Sequence, residues 1–176
     1  MTTRVAFLRA VNLGRRKVPM ARLVDVCEGL GYDDVWTYAN SGNAVFDAAG
    51  SRANIERAME GALESAMGFE VTTFVRTAAE LKKAMSRDPF ELTAGDTYFI
   101  TFLKGPPTAA VRRALEAASN DFDMLVVDGR DVHWRMHGKS TDTHLTGKTW
   151  NVVGAHNSTS RNTNLLGKLL AKIGAG

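Results

Sequence analysis

The sequence predicts a mixed α/β (α+β) protein made of two lobes, each with a mainly antiparallel sheet covered by helices. Two observations predict this class. Short apolar segments with strand-like alternation take turns with longer segments whose apolar residues recur at helical spacing. Turn-forming stretches, such as residues 40–43 and the pair Pro106-Pro107, separate these segments. A chain of 176 residues is long enough to bury one core or two small ones.

The first lobe is predicted over residues 1–76. Ser51 is expected to cap its second helix, and Gly31 and Gly68 are expected to end its two helices. Its βαββαβ order is that of a ferredoxin-like sandwich, in which the helices cover one face of the sheet. The predicted elements are a strand over 4–11, a helix over 20–30, strands over 35–39 and 43–46, a helix that follows Ser51 and ends before Gly68, and a strand over 71–75.

The second lobe is predicted over residues 77–176 and ends in a C-terminal helix. It repeats most of the first lobe's element order after one extra helix, which a capping box from Thr77 to Glu80 predicts. Asp128-Gly129 predicts a type I′ turn between two strands of a hairpin. The predicted elements are a strand over 97–103, a helix capped by Thr108, strands over 124–127 and 132–136, an irregular segment over 137–159 and a helix over 160–173.

Charge is distributed unevenly along the chain. The net charge is +3, yet seven cations and only two anions follow residue 128. A basic C-terminal third of this kind favours nucleic acid or an anionic ligand as a partner. A solvated surface that carries lysines is the alternative interpretation.

Composition also bounds the compartment. No apolar run approaches the ~20 residues that span a bilayer, so we expect no membrane segment. The first residues lead directly into a strand pattern rather than a signal peptide. The single cysteine, Cys27, lies in the apolar stripe of a helix and is expected to be a core residue. Together these observations predict a cytoplasmic protein.

The turn after the first strand is the first candidate binding site. From Arg9 to Pro19 it combines a glycine, three consecutive cations over residues 15–17 and a proline, and an amphipathic helix then begins. Backbone N–H groups, the positive end of a helix dipole and mobile cations are then directed at one place. That combination suits an anion.

A second polar stretch, residues 158–164, is predicted to open the last helix. Hydroxyl and amide side chains cap helices, but four or five of them in succession exceed what one cap uses. We therefore interpret Arg161, Asn162 and Asn164 either as cap residues alone or as cap residues that also bind a ligand at a helix N-terminus.

Other motifs predict no particular reaction. Gly147-Lys148-Thr149 resembles the end of a phosphate-binding P-loop, but Asp142 stands where that motif needs its first glycine. Four histidines without a cysteine or carboxylate pattern do not predict a metal site. Ser41 is interpreted as a turn former rather than a nucleophile. We therefore expect no metal and no cofactor, and the sequence leaves open whether the protein is an enzyme.

Three of these stretches together resemble the bacterial family catalogued as domain of unknown function 1697. They are residues 9–14 followed by 17–20, residues 37–46 and residues 159–164. The resemblance implies an α/β protein with two ferredoxin-like lobes and no established activity. The family usually has glycine where this chain has Ala10 and often a second glycine where it has Arg15. It commonly has an aromatic residue where this chain has Thr163. The residues that the resemblance carries over are Arg9, Asn12, Gly14, Ser41, Gly42, Asn43, Arg161, Asn162 and Asn164.

The resulting hypothesis is a site for a small anionic ligand, such as a nucleotide or a phosphorylated metabolite, in one cleft between the lobes. One alternative is an RNA- or DNA-binding module that uses the basic C-terminal third together with residues 15–17. Another is an oligomerising scaffold without a ligand, whose polar motifs only fix turns and caps. The predicted ligand-binding residues are Arg9, Asn12, Gly14, Ser41, Asn43, Arg161, Asn162 and Asn164.

Overall fold

The computed structural model describes residues 1–176. The chain divides into two compact units, which we call unit 1 (Met1–Leu81) and unit 2 (Lys82–Gly176). The boundary predicted from the sequence follows residue 76. Each unit is described by itself below.

Unit 1 has the predicted order of strands and helices. When its strands are numbered in chain order, their order across the sheet is 2-3-1-4, and every neighbouring pair is antiparallel. This is the ferredoxin-like topology, so the predicted fold class is confirmed for this unit. Its elements are β1 Thr2–Leu8, α1 Met20–Gly29, β2 Asp33–Thr37, β3 Asn43–Ala48, α2 Arg52–Met67 and β4 Thr73–Thr77, followed by α3 Ala78–Ser86.

Helices α1 and α2 contribute to one core with the sheet of unit 1. Cys27 on α1 and Met59 and Leu63 on α2 are fully buried and belong to the same apolar cluster as Phe46 on β3. Tyr32 stacks on Phe46, with the ring centroids 4.5 Å apart. Burial raises the pKa of the Cys27 thiol to about 12. The cysteine therefore acts as a small apolar core residue, as the helix pattern predicted.

Local side-chain signals set the helix boundaries. The Ser51 hydroxyl accepts a hydrogen bond from the Asn54 amide (3.2 Å), and Gly68 ends α2 in the left-handed conformation at φ 80°. The Glu80 amide donates to the Thr77 hydroxyl (3.0 Å), and the Thr77 amide donates to the Glu80 carboxylate (2.8 Å). This reciprocal pair is the predicted capping box at the start of α3.

Strand β4 lies at one edge of the unit 1 sheet, and carboxylates occupy two of its amides. The Thr73 amide donates to Glu60 Oε1 (3.0 Å), and the Val75 amide donates to Glu56 Oε1 (3.1 Å). Glu56 is buried and also pairs with Arg52 (2.9 Å). Unpaired N–H groups on an edge strand can recruit another strand, and here α2 covers them.

Unit 2 builds a second four-stranded antiparallel sheet. Counted from its own first strand, the strand order is again 2-3-1-4, so the predicted fold class is confirmed here as well. Leu115 on α4 packs with Leu125, Val132 and Trp134 on the sheet face that the helix covers. The elements are β5 Thr97–Leu103, α4 Ala109–Ala117, β6 Asp123–Asp128, β7 Asp131–Met136, α5 Gly147–Trp150, β8 Ser158–Asn162 and α6 Thr163–Ala175.

The connection from β7 to β8, residues 137–157, is here called the crossover segment. In place of a long second helix it has the four-residue α5 and two short 3₁₀ turns, Ser140–Asp142 and Asn151–Val153. The buried Asp123 carboxylate holds this segment to the sheet. Its hydrogen-bond donors are Trp134 Nε1 (2.9 Å), the His144 amide (2.9 Å), Asn120 Nδ2 (3.2 Å) and the Thr143 hydroxyl.

Burial alone would raise the pKa of Asp123. The hydrogen bonds to its carboxylate outweigh that effect, and the net result is a pKa below the ordinary value of an aspartate. Asp123 is therefore held as a carboxylate that accepts from four donors, which satisfies an ionised group inside the protein.

The last helix differs from the prediction. Residues 160–162 belong to β8, which pairs with β5 from Leu103 opposite Ser158 to Phe99 opposite Asn162, and α6 begins only at Thr163. The alternation of β8 was hidden because its two buried residues, Thr159 and Arg161, are polar. Pairing with β5 satisfies the backbone of these residues, which outweighs their tendency to cap a helix.

The turn between β6 and β7 also differs from the prediction. Asp128 pairs with Asp131, so the two turn residues are Gly129 and Arg130 rather than Asp128 and Gly129. Gly129 has φ 60°, and Arg130 does not have a positive φ. A glycine with positive φ at the first turn position alone is typical of a type II′ turn rather than the predicted type I′.

Strand bounds differ from the predicted ones where a residue takes a left-handed conformation. β1 ends at Leu8 instead of residue 11, because Ala10 has φ 53°. β2 ends at Thr37 instead of residue 39, because Ala39 has φ 59°. No helix of the protein has the length and apolar character that crossing a bilayer requires.

Candidate functional site

The loop from β1 to α1 has three left-handed residues at alternate positions. Ala10 has φ 53°, Asn12 has φ 59° and Gly14 has φ 56°. A non-glycine residue in this region is strained, and the strain is largest where no side chain bonds locally, as at Ala10. A positive φ of this kind favours glycine at the position of Ala10. The loop therefore keeps a tightly turned path that the rest of unit 1 must enforce.

Asn12 is the first residue that enforces this path. Its Oδ1 accepts from the Val18 amide (2.9 Å), and its Nδ2 donates to the carbonyl of Asn40 in the β2–β3 turn. Its backbone amide donates to the carbonyl of Arg16 (2.6 Å). Asn12 was predicted to bind a ligand, and the structure shows its side chain joining the loop to the neighbouring hairpin turn.

Arg16 is the second residue that holds the loop. Its Nε donates to the carbonyl of Ala10 (2.9 Å), and its Nη2 donates to the carbonyl of Glu70 (2.6 Å). The guanidinium also lies over the ring of Phe69, 4.7 Å from its centroid. Arg16 therefore fixes the loop against the segment that precedes β4. The sequence showed only three consecutive cations and did not distinguish this one.

The cations on either side of Arg16 have a different environment. Arg15 and Lys17 are exposed and make no hydrogen bond or ion pair with the rest of the protein. Arg9, at the base of the loop, is half-buried, and its amide donates to the carbonyl of Thr72 (2.9 Å). Gly14 is exposed, and no atom lies within 4 Å of the position a Cβ would take. The tip of the loop is thus open and positively charged.

The turn between β2 and β3 lies beside this loop. Asn43 is fully buried, and its Nδ2 donates to the carbonyl of Tyr38 (2.7 Å) and to the Ser41 hydroxyl (2.9 Å). Gly42 has φ 85°, and its carbonyl accepts from the Leu8 amide (2.8 Å). Asn43 and Ser41 were predicted to bind a ligand, and their hydrogen bonds show that both shape the turn.

Gly42 is the position at which loop and turn approach most closely. A Cβ placed there would lie 2.6 Å from Val11 Cγ2 and 2.9 Å from Leu8 Cβ. Only glycine allows both this approach and a positive φ without strain. The structure therefore brings Asn12, Ser41 and Asn43 together, and we call residues 9–18 with residues 38–43 the loop–hairpin surface.

The three candidate residues from the C-terminal stretch lie in unit 2. Arg161 is on β8 and is buried, with its Nη1 donating to the Thr159 hydroxyl and to the carbonyl of Ser160 (2.9 Å each). Burial lowers the pKa of its guanidinium to about 10. The prediction that Arg161 stands at a helix N-terminus is wrong, because it lies inside a strand that pairs with β5.

Asn162 and Asn164 lie at the true start of α6. The Asn162 side chain accepts from the Asn164 amide (2.8 Å), so Asn162 is the N-cap, as the capping interpretation predicted. Asn164 is exposed. Thr163 donates to the carbonyl of Tyr98 on β5 (2.9 Å), which joins the first turn of α6 to the sheet.

The sequence did not predict two hydrogen-bonded pairs in unit 2, each of which joins a histidine to another side chain. His137 Nδ1 lies 2.8 Å from Asp96 Oδ1, and the Thr93 amide also donates to that carboxylate (2.8 Å). The Thr93 amide first, and then His137, lower the pKa of Asp96 to about 2. The partners are 41 residues apart in the chain, so no local pattern could reveal the pair.

The second pair is buried. The Tyr98 hydroxyl hydrogen-bonds His133 Nδ1, and His133 Nε2 is buried without a partner. Burial lowers the pKa of His133 and raises that of Tyr98 to about 12, so both are neutral at neutral pH. The four histidines, the cysteine and the carboxylates form no group of three that would hold a metal ion.

Fold and site together define a class: an α+β protein with two antiparallel sheets of ferredoxin-like strand order. More particularly, the chain belongs to the family described as a protein of unknown function, DUF1697, whose model matches residues 1–133. The predicted resemblance is thereby confirmed, although the stretch at 159–164 lies beyond the matched residues.

A solved structure supports the fold over the whole chain. It is that of the conserved bacterial protein SP0830 from Streptococcus pneumoniae, which is 19% identical, has a TM-score of 0.72 and matches over 98% of both chains. At this identity the similarity shows the fold alone. No curated protein sequence matches the chain.

Proposed function

We propose that unit 1 binds a small anion, such as the phosphate group of a nucleotide or of a phosphorylated metabolite, at the loop–hairpin surface. The observation that carries the proposal is the contrast within the three consecutive cations. Arg16 is bonded to backbone carbonyls, whereas Arg15 and Lys17 are exposed without a partner. Two exposed cations, two residues apart on an open loop, can pair with a multiply charged anion.

The rigidity of the loop supports the proposal. Asn12 and Arg16 join it to the hairpin turn and to Glu70, so the backbone around Arg15 is ordered before any ligand arrives. Binding to an ordered loop costs less conformational entropy than binding to a mobile one. We therefore assign Asn12, Asn43 and Arg16 to positioning the surface, and Arg15 and Lys17 to contacting the anion.

Gly14 gives the anion access to the backbone. It precedes Arg15 at the tip, and the space that a side chain would fill is empty. A phosphate oxygen can then approach main-chain N–H groups as well as the two cations. Arg16 and, at the base of the loop, Arg9 add two further positive charges.

Thermal unfolding in the presence of inorganic phosphate, pyrophosphate and ATP tests the proposal. A ligand at about 100 times its Kd adds about 2.7 kcal/mol to the free energy of unfolding, which raises Tm by several degrees. We expect the double variant Arg15→Ala/Lys17→Ala to lose this increase. The matched control is Arg57→Ala/Lys82→Ala, which removes two exposed cations elsewhere and should keep it.

Two outcomes would overturn the proposal. One is the absence of any increase in Tm with all three anions at millimolar concentration. The other is an equal increase in the double variant and in the matched control, which would place the anion elsewhere.

A further inference from the structure

The fourth strands of the two units, β4 and β8, are edge strands at the same place in sheets of the same strand order. On β4, the three amides that point away from β1 each donate to a glutamate carboxylate. The pairs, from donor to acceptor, are Thr73 to Glu60 (3.0 Å), Val75 to Glu56 (3.1 Å) and Thr77 to Glu80 (2.8 Å). The outer edge of β4 is therefore closed to a further strand.

Two buried arginines align β8 with β4. Arg76 and Arg161 each donate from Nη1 to the carbonyl of the preceding residue, at 3.0 and 2.9 Å. This alignment places Ser160 and Asn162 at the positions of the last two outward-facing residues of β4. The same two residues of the edge can thus be compared directly between the units.

The direction of the β8 amides follows from the hydrogen bonds of β5. The Leu103 amide donates to a carbonyl in the β6–β7 turn (2.9 Å), so Leu103 and every second residue before it face β7. The intervening residues of β5 face β8, where they pair with Thr159 and Arg161. Ser160 and Asn162 alternate with these two residues, so their amides face outward.

No carboxylate closes this second edge. The crossover segment has no helix in place of α2, and the chain contains no glutamate after Glu116. The amides of Ser160 and Asn162 donate to no other group of the protein, and both residues are partly exposed. Two outward amides of β8 are therefore open to a strand from outside the chain.

The side chains along the β8 edge carry no exposed charge. The Ser160 hydroxyl bonds the Thr101 hydroxyl (2.7 Å), and Asn162 caps α6. The one charged group of the strand, the Arg161 guanidinium, is buried. Two copies of this edge can approach each other without the repulsion that like charges cause across a strand pair.

We propose that β8 pairs with β8 of a second copy of this chain, antiparallel and about a twofold axis at Ser160. The Ser160 amide then donates to the carbonyl of Ser160 in the second copy, and the Asn162 amide donates to that of Ser158. The symmetry forms each bond twice and joins two four-stranded sheets into one continuous sheet. The proposal concerns unit 2 and does not rest on the anion site in unit 1.

The edge matches a second copy better than an unrelated extended peptide. A symmetric pair satisfies the two open amides of both copies, whereas a peptide satisfies those of one copy only. Centring the pair on Ser160 also sets Arg161 opposite Thr159 of the second copy. A pair that set Ser160 opposite Asn162 would instead bring two Arg161 side chains face to face, which fixes the register.

Sedimentation velocity of the full chain tests the proposal. From about 10 µM to about 1 mM, we expect the sedimentation coefficient to rise from that of a monomer to that of a dimer. Hydrogen exchange of the Ser160 and Asn162 amides should slow over the same range, because each amide gains an acceptor.

Ser160→Pro removes the amide at the proposed axis. Proline is tolerated on an edge strand where the N–H faces outward, so the fold should persist. We expect the Kd of the dimer to rise at least about tenfold. Ser160→Ala is the matched control, since it keeps the amide and should dimerise as the wild type does.

A second variant keeps the test decisive if Ser160→Pro alters folding. In Ser160→Cys the two Cα atoms across the axis would be about 5.5 Å apart, which suits a disulfide. Mild oxidation should therefore link the copies rapidly. Asn164→Cys, at an exposed position of α6, is the control and should link much more slowly, and the native Cys27 is buried.

Three results would overturn the proposal. They are a wild-type protein that stays monomeric up to the highest concentration, a folded Ser160→Pro protein that dimerises as tightly as the wild type, and equal rates of disulfide linkage in Ser160→Cys and Asn164→Cys. The first result would leave the β8 edge to solvent or to an extended peptide.

Discussion

Single residues determine the shape of the loop–hairpin surface. Gly42 allows the β2–β3 turn to approach Leu8 and Val11, and Asn12 bonds that turn to the loop. Ala10 holds a left-handed conformation that costs about 1–2 kcal/mol for a residue with a Cβ. The surface is thus kept by contacts that outweigh local backbone preference, as is common at ligand sites.

Replacement of Gly42 tests whether close packing between the β2–β3 turn and the loop keeps this surface in shape. Gly42→Ala should lower the free energy of unfolding of unit 1 by about 2–4 kcal/mol, since it adds left-handed strain and overpacks Val11. Gly61→Ala is the matched control, because Gly61 lies in α2 with open space around it. This substitution should raise the free energy of unfolding by about 0.5–1 kcal/mol, since alanine favours a helix more than glycine does. Urea unfolding followed by circular dichroism measures both. Equal effects of the two substitutions would contradict this account.

His133 makes unit 2 sensitive to acid. Its pKa is lowered in the folded state by burial, with Asp128 acting to raise it and Arg87 to lower it, and Tyr98 bonds its Nδ1. Below about pH 6.5 the unfolded chain binds a proton that the folded state resists, so stability present above that pH is lost as the pH falls toward the lower folded pKa.

The dependence of stability on pH between 7 and 5 measures this effect. We expect a smaller slope in His133→Phe than in the wild type. Tyr98→Phe keeps the buried histidine and should retain the steep slope, even if its stability is lower. An unchanged slope in His133→Phe would assign the acid sensitivity to other groups.

At the scale of elements, the clearest adaptation is the way helix α2 covers the outer edge of strand β4. Glu56 and Glu60 of α2 accept from the amides that a fifth strand would otherwise use. Two carboxylates on one helix, four residues apart, match the spacing of alternate amides along the strand. The helix therefore both packs on the sheet and closes its edge.

Removing these carboxylates should open the edge. Glu56→Ala/Glu60→Ala leaves two amides without acceptors, at about 1–3 kcal/mol each, and should produce self-association that rises with protein concentration. Sedimentation velocity measures the association. Glu28→Ala/Glu64→Ala removes two exposed glutamates of α1 and α2 as a control, and should show the same association state as the wild type. Association of both variants alike would attribute the effect to net charge.

Elements with local signals were predictable from the sequence. The capping box before α3, the caps of α2 and α4 and the β2–β3 hairpin depend on residues a few positions apart. β8 was not predictable, because Arg161 and Thr159 occupy positions where a strand pattern has apolar residues. Its identity as a strand depends on β5, which is remote in sequence.

The sequence indicates the turn after β1 as a candidate site, but the roles of its residues depend on distant partners. Asn12 bonds Asn40, 28 residues away, and Arg16 bonds Glu70, 54 residues away. Such partners decide whether a polar side chain is available to a ligand, and no local pattern contains them. The sequence therefore indicated a cationic turn but could not separate Arg16 from Arg15 and Lys17.

At the scale of the whole molecule, the two units share one strand order but connect their third and fourth strands differently. Both sheets are ordered 2-3-1-4, yet unit 1 covers its sheet with two helices and unit 2 replaces the second with the crossover segment. The similarity to the streptococcal protein at 19% identity extends over nearly the whole chain. Strand order is thus compatible with wide changes in the connections, which is where binding sites commonly lie.

The carboxylate of Asp123 has a consequence for how the protein can be observed. It accepts from the indole nitrogen of Trp134 and from the crossover segment, and the ring of Trp134 lies 5.4 Å from that of Trp150 in the same segment. Two of the three tryptophans of the chain therefore report on one place. Their fluorescence emission should change whenever the crossover segment leaves the sheet, so these tryptophans are an intrinsic probe of that separation.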